Sequence, residues 1–399
     1  MERPGLRGIP RGVWALGLVS LCMDTSSEMI HALLPVFLVS TLGASALTVG
    51  WIEGVAEATA SVAKLFSGTL SDAWGRRKPL VALGYGLSAA TKPLFPLATT
   101  PLHVLVARFA DRIGKGIRGA PRDALIGDLT PPALRGASYG LRQALDTFGA
   151  FAGPLLAVGL MAATGGDFRR VFWFAVIPAL LAVALVLFGV EDVSPEPGPR
   201  RLRSPIHRAE LRALGGPFLA ILVVAALSGL ARFSEAFLVL RASHAGLSAT
   251  LVPFTLVAMN AAYTASSYPA GALSDRMDRR ALLALGFLVL VASDLVLAFR
   301  PGIVQVLVGV ALWGLHMGLT QGLFAALVAD ATPPAVRGTA FGVFHLTTGG
   351  ATLVASVVAG ALWERPGPHA TFLAGAALAV LATLSLALVR DHRPAPLEP

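Results

Sequence analysis

The chain is poor in charge and nearly without cysteine. Lys, Arg, Asp and Glu make up 14% of its 399 residues, whereas soluble domains usually carry about 25%. Hydrophobic residues make up 55%. A chain with so little charge would not stay folded in water easily, so the composition argues against a soluble domain. The single cysteine, Cys22, excludes an intramolecular disulfide, and we interpret it as a small packing residue.

Several motifs of common enzymes are also missing. No HExxH, GxSxG or P-loop pattern occurs, so we expect no enzymatic activity, no cofactor and no resident metal. A net charge of +9 is compatible with nucleic-acid binding. However, the arginines outside the apolar runs lie in short loops between them, which argues against nucleic acid as a partner.

Long apolar runs fill most of the chain. A helix needs about 20 mostly apolar residues to cross a bilayer, and a run as long as the first exceeds the apolar core of a signal peptide. We therefore predict an all-α membrane protein. Its twelve predicted transmembrane helices are 12–39, 47–70, 79–98, 101–127, 137–162, 170–190, 215–240, 248–273, 280–299, 301–327, 338–363 and 369–389.

Two phrases occur twice at nearly the same interval. GTLSDAWGRR begins at Gly68 and GALSDRMDRR at Gly271, 203 residues later. DLTPPALRG begins at Asp128 and DATPPAVRG at Asp330, 202 residues later. Two matches at one spacing indicate two copies of one unit. Membrane proteins built from repeated halves are often transporters, with the substrate path between the halves.

The repeat and the basic residues together predict the topology. We expect a six-helix half at 1–190, a cytoplasmic linker at 191–213 and a second six-helix half with a short tail at 214–399. With the N-terminus inside, the cytoplasmic segments hold 18 Lys and Arg and the external loops hold 5. Because cytoplasmic loops are enriched in Lys and Arg, both termini are predicted in the cytoplasm, with the chain in the inner (cell) membrane.

The first repeated phrase is similar to a motif of the major facilitator superfamily, G-x-L-x-D-(R/K)-x-G-R-(R/K), which follows the second helix. The matching residues are Gly68, Leu70, Asp72, Gly75, Arg76 and Arg77, then Gly271, Leu273, Asp275, Arg276, Arg279 and Arg280. Ala73 replaces the usual basic residue in the first copy, and Asp278 replaces the glycine in the second. The chain resembles this family over essentially its whole length, which implies a secondary transporter.

The resemblance implies a cytoplasmic gate that latches the outward-open state. The predicted gate residues are Gly68, Asp72, Gly75, Arg76, Arg77, Asp128, Asp275 and Arg279. Asp72 is expected to accept hydrogen bonds at the start of the eleventh helix, near Gly338 and Thr339, where the helix dipole favours an anion. Arg76 is expected to pair with Asp128. Asp278 is expected to break the second copy of the latch.

Two further family motifs give a mixed result. G-x-x-x-G-P, found in exporters that exchange solute for protons, is matched by Gly149, Gly153 and Pro154 in the fifth helix. Small residues at this spacing also serve plain helix packing, so both interpretations stay open. The R-x-x-Q-G motif of the fourth helix is not preserved, because Asp111 and Arg112 follow Arg108.

Charged side chains are concentrated inside the predicted helices of the first half. An unpaired charge at the membrane centre costs about 2.5–3.5 kcal/mol, so these residues must pair with one another or face water. A structural salt-bridge lattice is one interpretation, with Arg118, Arg122 and Asp123 belonging to the gate. The other is substrate and proton handling by Asp24, Glu28, His31, Glu53, Glu57, Arg108, Asp111, Arg112, Lys115, Arg142 and Asp146, with Glu235, Asn260 and His345 from the second half.

The repeat shows that the fold alone does not require these charges. In its register Arg108 aligns with Val310 and Asp111 with Trp313. Glu28 keeps an acidic counterpart, Glu235. The first half is therefore the expected seat of coupling, and the apolar second half is expected to shape the substrate pocket.

The function predicted is proton-coupled export of an anionic, zwitterionic or amphipathic small molecule by alternating access. The candidate proton carriers are Glu28, Glu57, Asp111 and Glu235, near Arg108 and Arg112. The alternatives are an importer of an organic anion, a non-transporting receptor, and a divalent-metal transporter that uses Asp24, Glu28, His31 and His345. The expected partners are the substrate, protons and the lipid bilayer, and we expect a monomer.

Overall fold

The structure is a computed structural model that describes residues 8–74, 76–131, 134–191, 214–274, 277–299, 302–333 and 336–389. Side chains at positions 68, 69, 72, 73, 136 and 272 are not described. Gly75, Asp275 and nearly all of the predicted linker 191–213 lie outside the described residues, as does the side chain of Asp72.

Helices account for almost all of the described residues, among which there is no strand. In chain order they are α1 (Arg11–His31), α2 (Leu34–Val36), α3 (Ala46–Trp74), α4 (Arg77–Thr91), α5 (Leu94–Leu97), α6 (Pro101–Leu129), α7 (Arg135–Ala163), α8 (Phe168–Gly189), α9 (Gly216–Ala231), α10 (Ala236–His244), α11 (Phe254–Ser274), α12 (Arg279–Phe299), α13 (Ile303–Asp330), α14 (Arg337–Glu364) and α15 (Pro368–Ser385). A π-helical turn, Phe37–Thr41, follows α2, and a 3₁₀ turn, Leu386–Leu388, follows α15.

Three of the predicted membrane spans are interrupted. The first consists of α1 and α2, the third of α4 and α5, and the seventh of α9 and α10. Pro35 and Pro93 lie at the first two breaks, where a missing N–H prevents a continuous helix. The third break, 232–235, contains no proline. When each interrupted span is counted as one segment, the described helices supply the twelve membrane segments.

Seven spans are long and apolar enough to cross a membrane by a strict criterion of length and composition. They are Ala137–Ala163, Phe168–Gly189, Gly216–His244, Arg279–Phe299, Ile303–Asp330, Arg337–Glu364 and Pro368–Leu388. The helices α1, α3 and α6 fall below it, because each carries charged side chains among its apolar residues.

The repeat is visible in the backbone. The helices α4, α6 and α7 have counterparts in α12, α13 and α14, each beginning 202 positions later. Gly43 and Gly246, 203 positions apart, have φ values of 65° and 95°. Glycine adopts this left-handed conformation without steric penalty, so the same chain reversal follows the first span of each half.

The helices pack as two units. Unit 1 holds α1 to α8, α10 and the first turn of α11, and unit 2 holds α9, the rest of α11 and α12 to α15. The predicted halves 1–190 and 214–399 stay a prediction, and in the packing units α10 groups with unit 1. In unit 1, α6 packs against α3 and α4, and α1 packs against α7 and α8. In unit 2, α12 packs against α13 and α15.

Candidate functional site

The helix α6 carries most of the charges of unit 1 and is held closely on two sides. A Cβ added at Gly114 would lie 2.6 Å from the carbonyl oxygen of Gly84 in α4. A Cβ added at Gly116 would lie 3.0 Å from the backbone nitrogen of Lys64 in α3. The two glycines therefore let both neighbouring backbones approach, which brings the charges of α6 against the polar residues of α3 and α4.

Two buried ion pairs, which we call the inner ion pairs, join α6 to these neighbours. Arg108 Nη2 lies 2.5 Å from Glu53 Oε2, and Lys92 Nζ lies 3.0 Å from Asp111 Oδ1. All four side chains are at most 5% exposed. Lys92 also donates to Ser27 Oγ at 2.9 Å. These residues belong to a salt-bridge lattice, in which each charge offsets the desolvation of its partner.

His31 links the inner ion pairs to a more accessible carboxylate. Its Nε2 lies 3.6 Å from Glu53 Oε2, and its Nδ1 lies 3.4 Å from Glu28 Oε2. Glu28 is 22% exposed, whereas Glu53 is 1% exposed. Since either imidazole nitrogen can carry a proton, Glu28, His31 and Glu53 form a series of proton-accepting groups from an accessible to a buried position, and Arg108 pairs with the last of them. We call these four residues the Glu28 relay.

A second set of charges is more accessible. Arg112 Nη2 lies 3.0 Å from Glu57 Oε1, whose side chain is 42% exposed. Lys115 is exposed and makes no hydrogen bond or ion pair with any residue that the structure describes. Its charge acts on the carboxylates of Asp24, Glu28 and Glu57. Lys115 is therefore an accessible cation for an anionic group of a solute, whereas Arg112 is 8% exposed and only its partner Glu57 is accessible.

The carboxyl groups of Asp24 on α1 and Asp146 on α7 lie close enough for the charge of each to act on the other. Two neighbouring carboxylates repel each other, which favours a proton on one of them. Asp146 also lies 3.5 Å from Arg142 Nη1 and 3.9 Å from Arg122 Nη1. The pair is thus a place where one proton can be held beside two arginines.

The G-x-x-x-G-P motif of α7 packs against α1 beside these acids. A Cβ added at Gly149 would lie 2.7 Å from the carbonyl oxygen of Leu21, and one at Gly153 would lie 2.8 Å from that of Thr25. Pro154 follows inside the same helix. The motif serves close helix packing and sets the position of the α1 face that carries Asp24 and Glu28.

Ion pairs also lie near the loops that contain the repeated phrases. Arg77 Nε lies 2.7 Å from Asp128 Oδ2, where the sequence predicted Arg76 as the partner. In the second copy Arg279, which begins α12 as Arg77 begins α4, pairs with Asp330. Each copy therefore joins the first arginine of a helix to an aspartate at the end of the next long helix.

Asp278, which replaces the glycine in the second copy, has a local structural role. Its Oδ1 accepts from the backbone nitrogen of Arg280 at 2.9 Å, which caps the start of α12. The contact expected between Asp72 and the eleventh helix stays a prediction.

The predicted site residues of the second half are spread over both units. Glu235 directly precedes α10 in unit 1, and Asn260 lies on α11 in unit 2. His345 on α14 stacks on Phe341, with ring centroids 6.3 Å apart. Among the described residues no group of three or more His, Cys, Asp or Glu is placed to hold a metal ion.

Sequence reasoning missed the polar residues of α4 that receive Arg118. Its Nη1 donates to Ser88 Oγ at 2.5 Å, and its guanidinium lies 4.5 Å from the ring centroid of Tyr85. The signal was available, because Tyr85, Ser88 and Lys92 follow the i, i+3, i+7 spacing of one helix face.

A family model described as Major Facilitator Superfamily matches residues 16–259 and 221–399. The chain belongs to the major facilitator superfamily. An uncharacterized MFS-type transporter of Methanocaldococcus jannaschii is 31% identical over 389 residues, which are 96% of each protein. Multidrug resistance protein MdtH of Yersinia enterocolitica is 29% identical over 171 residues, 43% of this chain and 42% of that protein.

Solved structures agree on the fold. The crystal structure of a peptide transporter POT superposes with a TM-score of 0.80 at 16% identity, over 96% of this chain and 95% of that one. The resemblance found in the sequence is thereby confirmed, as is the all-α, twelve-helix membrane fold. This member of the major facilitator superfamily is a multi-pass membrane transporter of small molecules and not an enzyme.

Proposed function

We propose that this transporter exports a small solute in exchange for protons. The observation that carries the proposal is the Glu28 relay, in which His31 lies between the accessible carboxylate of Glu28 and the buried one of Glu53. A proton entering at Glu28 can pass to the imidazole and so reach the Arg108–Glu53 pair. Glu57 and the Asp24–Asp146 pair are further positions for a proton in the same unit.

Coupling requires that proton binding and substrate binding favour different states of the transporter. A carboxylate paired with a cation has little affinity for a proton, and it gains affinity when the cation moves away. Arg112 beside Glu57 is such a cation, since the pair is accessible on its acidic side. The cationic group of a zwitterionic or amphipathic solute that binds at Glu57 or Glu28 would likewise displace a proton, so that solute and proton bind in turn, as exchange requires.

The substrate class follows from the accessible charges. Lys115 favours an anionic or zwitterionic group, and the apolar second half favours an amphipathic body. The similarity to a multidrug resistance protein over 43% of the chain supports export rather than uptake. We propose that the protein lies in the inner membrane as a monomer, with both termini in the cytoplasm. The halves 1–190 and 214–399 would alternate access to the substrate, and the predicted gate residues would close the cytoplasmic side.

The test uses the full chain reconstituted in liposomes with a pH-sensitive dye inside. Carboxyfluorescein serves as the anionic probe and ethidium as the cationic amphipathic probe. Antiport predicts that a pH gradient drives one probe against proton movement. Movement of probe and protons in the same direction would identify an importer. Probe binding without counterflow would identify a receptor.

A further inference from the structure

Asp294, on α12 in unit 2, is the most isolated ionisable side chain of the described residues. It is fully buried, with 0% of its surface exposed. Neither carboxyl oxygen has a hydrogen-bond partner among the described residues. It lies outside the Glu28 relay and outside the set of site residues predicted from the sequence.

The surroundings of Asp294 are apolar and closely fitted. A Cβ added at Gly375 on α15 would lie 2.7 Å from Asp294 Oδ2 and 3.1 Å from the ring of Phe233. A cavity of about 60 Å³ next to this contact is lined by Phe233, Thr371 and Gly375, among other residues. The absence of a side chain at position 375 is what leaves room for the carboxyl group.

No charged group compensates the carboxyl. The ionisable residues on the elements packed around it are His316 and Asp330 on α13, His369 on α15 and Arg232 at the end of α9. None of them forms an ion pair or hydrogen bond with Asp294 in the described structure. His316 binds the carbonyl oxygen of Gly286, which lies eight residues, or about 12 Å, along α12 from Asp294.

The register of the repeat shows how the two halves differ here. Asp294 aligns with Lys92, and Trp313 aligns with Asp111, at an offset of 202. In the first half these positions form an inner ion pair. In the second half they hold a lone acid and an indole, whose buried Nε1 also has no hydrogen-bond partner among the described residues.

We propose that Asp294 is a second proton-binding site, located in the second half. Its carboxyl group is protonated in the packing seen here and ionises only when the contact between Phe233 and Gly375 opens to water. An ionised carboxylate without partner or water would be strongly destabilising in this position. A neutral carboxyl group fits the same space with a much smaller penalty. Phe233 lies within the break in the seventh span, so movement of α9 at this break would expose the acid.

Carbodiimide labelling tests this proposal, because dicyclohexylcarbodiimide reacts with protonated carboxyl groups in apolar surroundings. The full chain in liposomes is labelled at neutral and at alkaline pH, and modified sites are found by mass spectrometry. We expect modification at Asp294 at neutral pH, reduced several-fold at alkaline pH, and unchanged in Glu28→Gln. That independence separates this site from the proposed coupling site of the first half.

Infrared spectroscopy provides a second readout that needs no reagent access. The protonated-carboxyl band of the native chain should lose one component in Asp294→Asn, while Asp330→Asn, in an exposed ion pair, should not change it. An unchanged band in a folded Asp294→Asn protein, with no labelling at Asp294, would overturn the proposal. Protection from labelling by Na⁺ but not by choline would also overturn it, because the site would then bind a metal cation.

Discussion

Arg108 and Glu53 form a buried ion pair, with Nη2 2.5 Å from Oε2 and both side chains at most 3% exposed. Arg108→Ala leaves Glu53 charged and buried, and such breaks typically destabilise a protein by about 3–5 kcal/mol. Thermal unfolding of the purified protein should therefore occur at a markedly lower temperature. Arg112→Ala is the matched control on the same helix, because its partner Glu57 is 42% exposed. If both substitutions lowered the unfolding temperature equally, the distinction between the inner ion pairs and the more accessible Arg112–Glu57 pair would be contradicted.

Replacing Gly153 should weaken the packing of α7 against α1. An added methyl group would lie 2.8 Å from the carbonyl oxygen of Thr25 and 2.7 Å from Glu28 Cβ. We expect Gly153→Ala to lower stability by about 1–3 kcal/mol and to reduce transport. Gly159→Ala on the same helix meets nothing within 4 Å and should be neutral or slightly stabilising. If the unfolding curves of Gly153→Ala and Gly159→Ala coincide, the close contact between Gly153 and α1 is ruled out.

Breaking the ion pairs beside the repeated loops should change rates more than stability. Asp128 is 35% exposed and Asp330 is 45% exposed, and such pairs contribute about 0–1 kcal/mol. The double variant Asp128→Asn, Asp330→Asn should unfold close to the native temperature. Its turnover should fall while its affinity for the probe stays unchanged, as the predicted gate requires. Weaker binding with normal turnover would count against a gating role.

Charge reversal at Lys115 should act on substrate choice. Lys115→Glu reverses an accessible cation whose charge acts on Glu28 and Glu57, so carboxyfluorescein transport should fall several-fold while ethidium transport is maintained. Lys115→Arg keeps the charge and serves as the control. Initial rates of both probes in liposomes measure the effect. Equal loss for the two probes would indicate a general defect instead.

The sequence was sufficient for the fold because its two signals are strong and independent. Apolar runs of membrane length and phrases repeated 202 and 203 residues apart are local properties of the chain. The broken third span was also foreseeable, since Pro93 lies inside it. The break at 232–235 was not, because no proline or glycine cluster marks it.

Partner choice in the site could be predicted only in part. Periodicity placed Arg108, Asp111 and Arg112 on α6, but the oppositely charged partner of each depends on the close approach of α3 and α4 at Gly114 and Gly116. The partner of Asp128 is Arg77, the first residue of α4, and not the adjacent Arg76, a distinction that no sequence pattern reports. The isolation of Asp294 became visible only with the packing around it.

The central claim is that protons couple to transport through Glu28 and Glu57, and the direct measurement is pH-gradient-driven probe flux with simultaneous recording of lumenal pH. Glu28→Gln and Glu57→Gln are compared with the native chain, and Glu191→Gln, at the end of the described first half, is the control. We predict that Glu28→Gln, Glu57→Gln or both still exchange the probe. Their exchange should no longer depend on the pH gradient and should no longer move protons. If both variants retain gradient-driven transport at the native rate, the proton assignment is wrong.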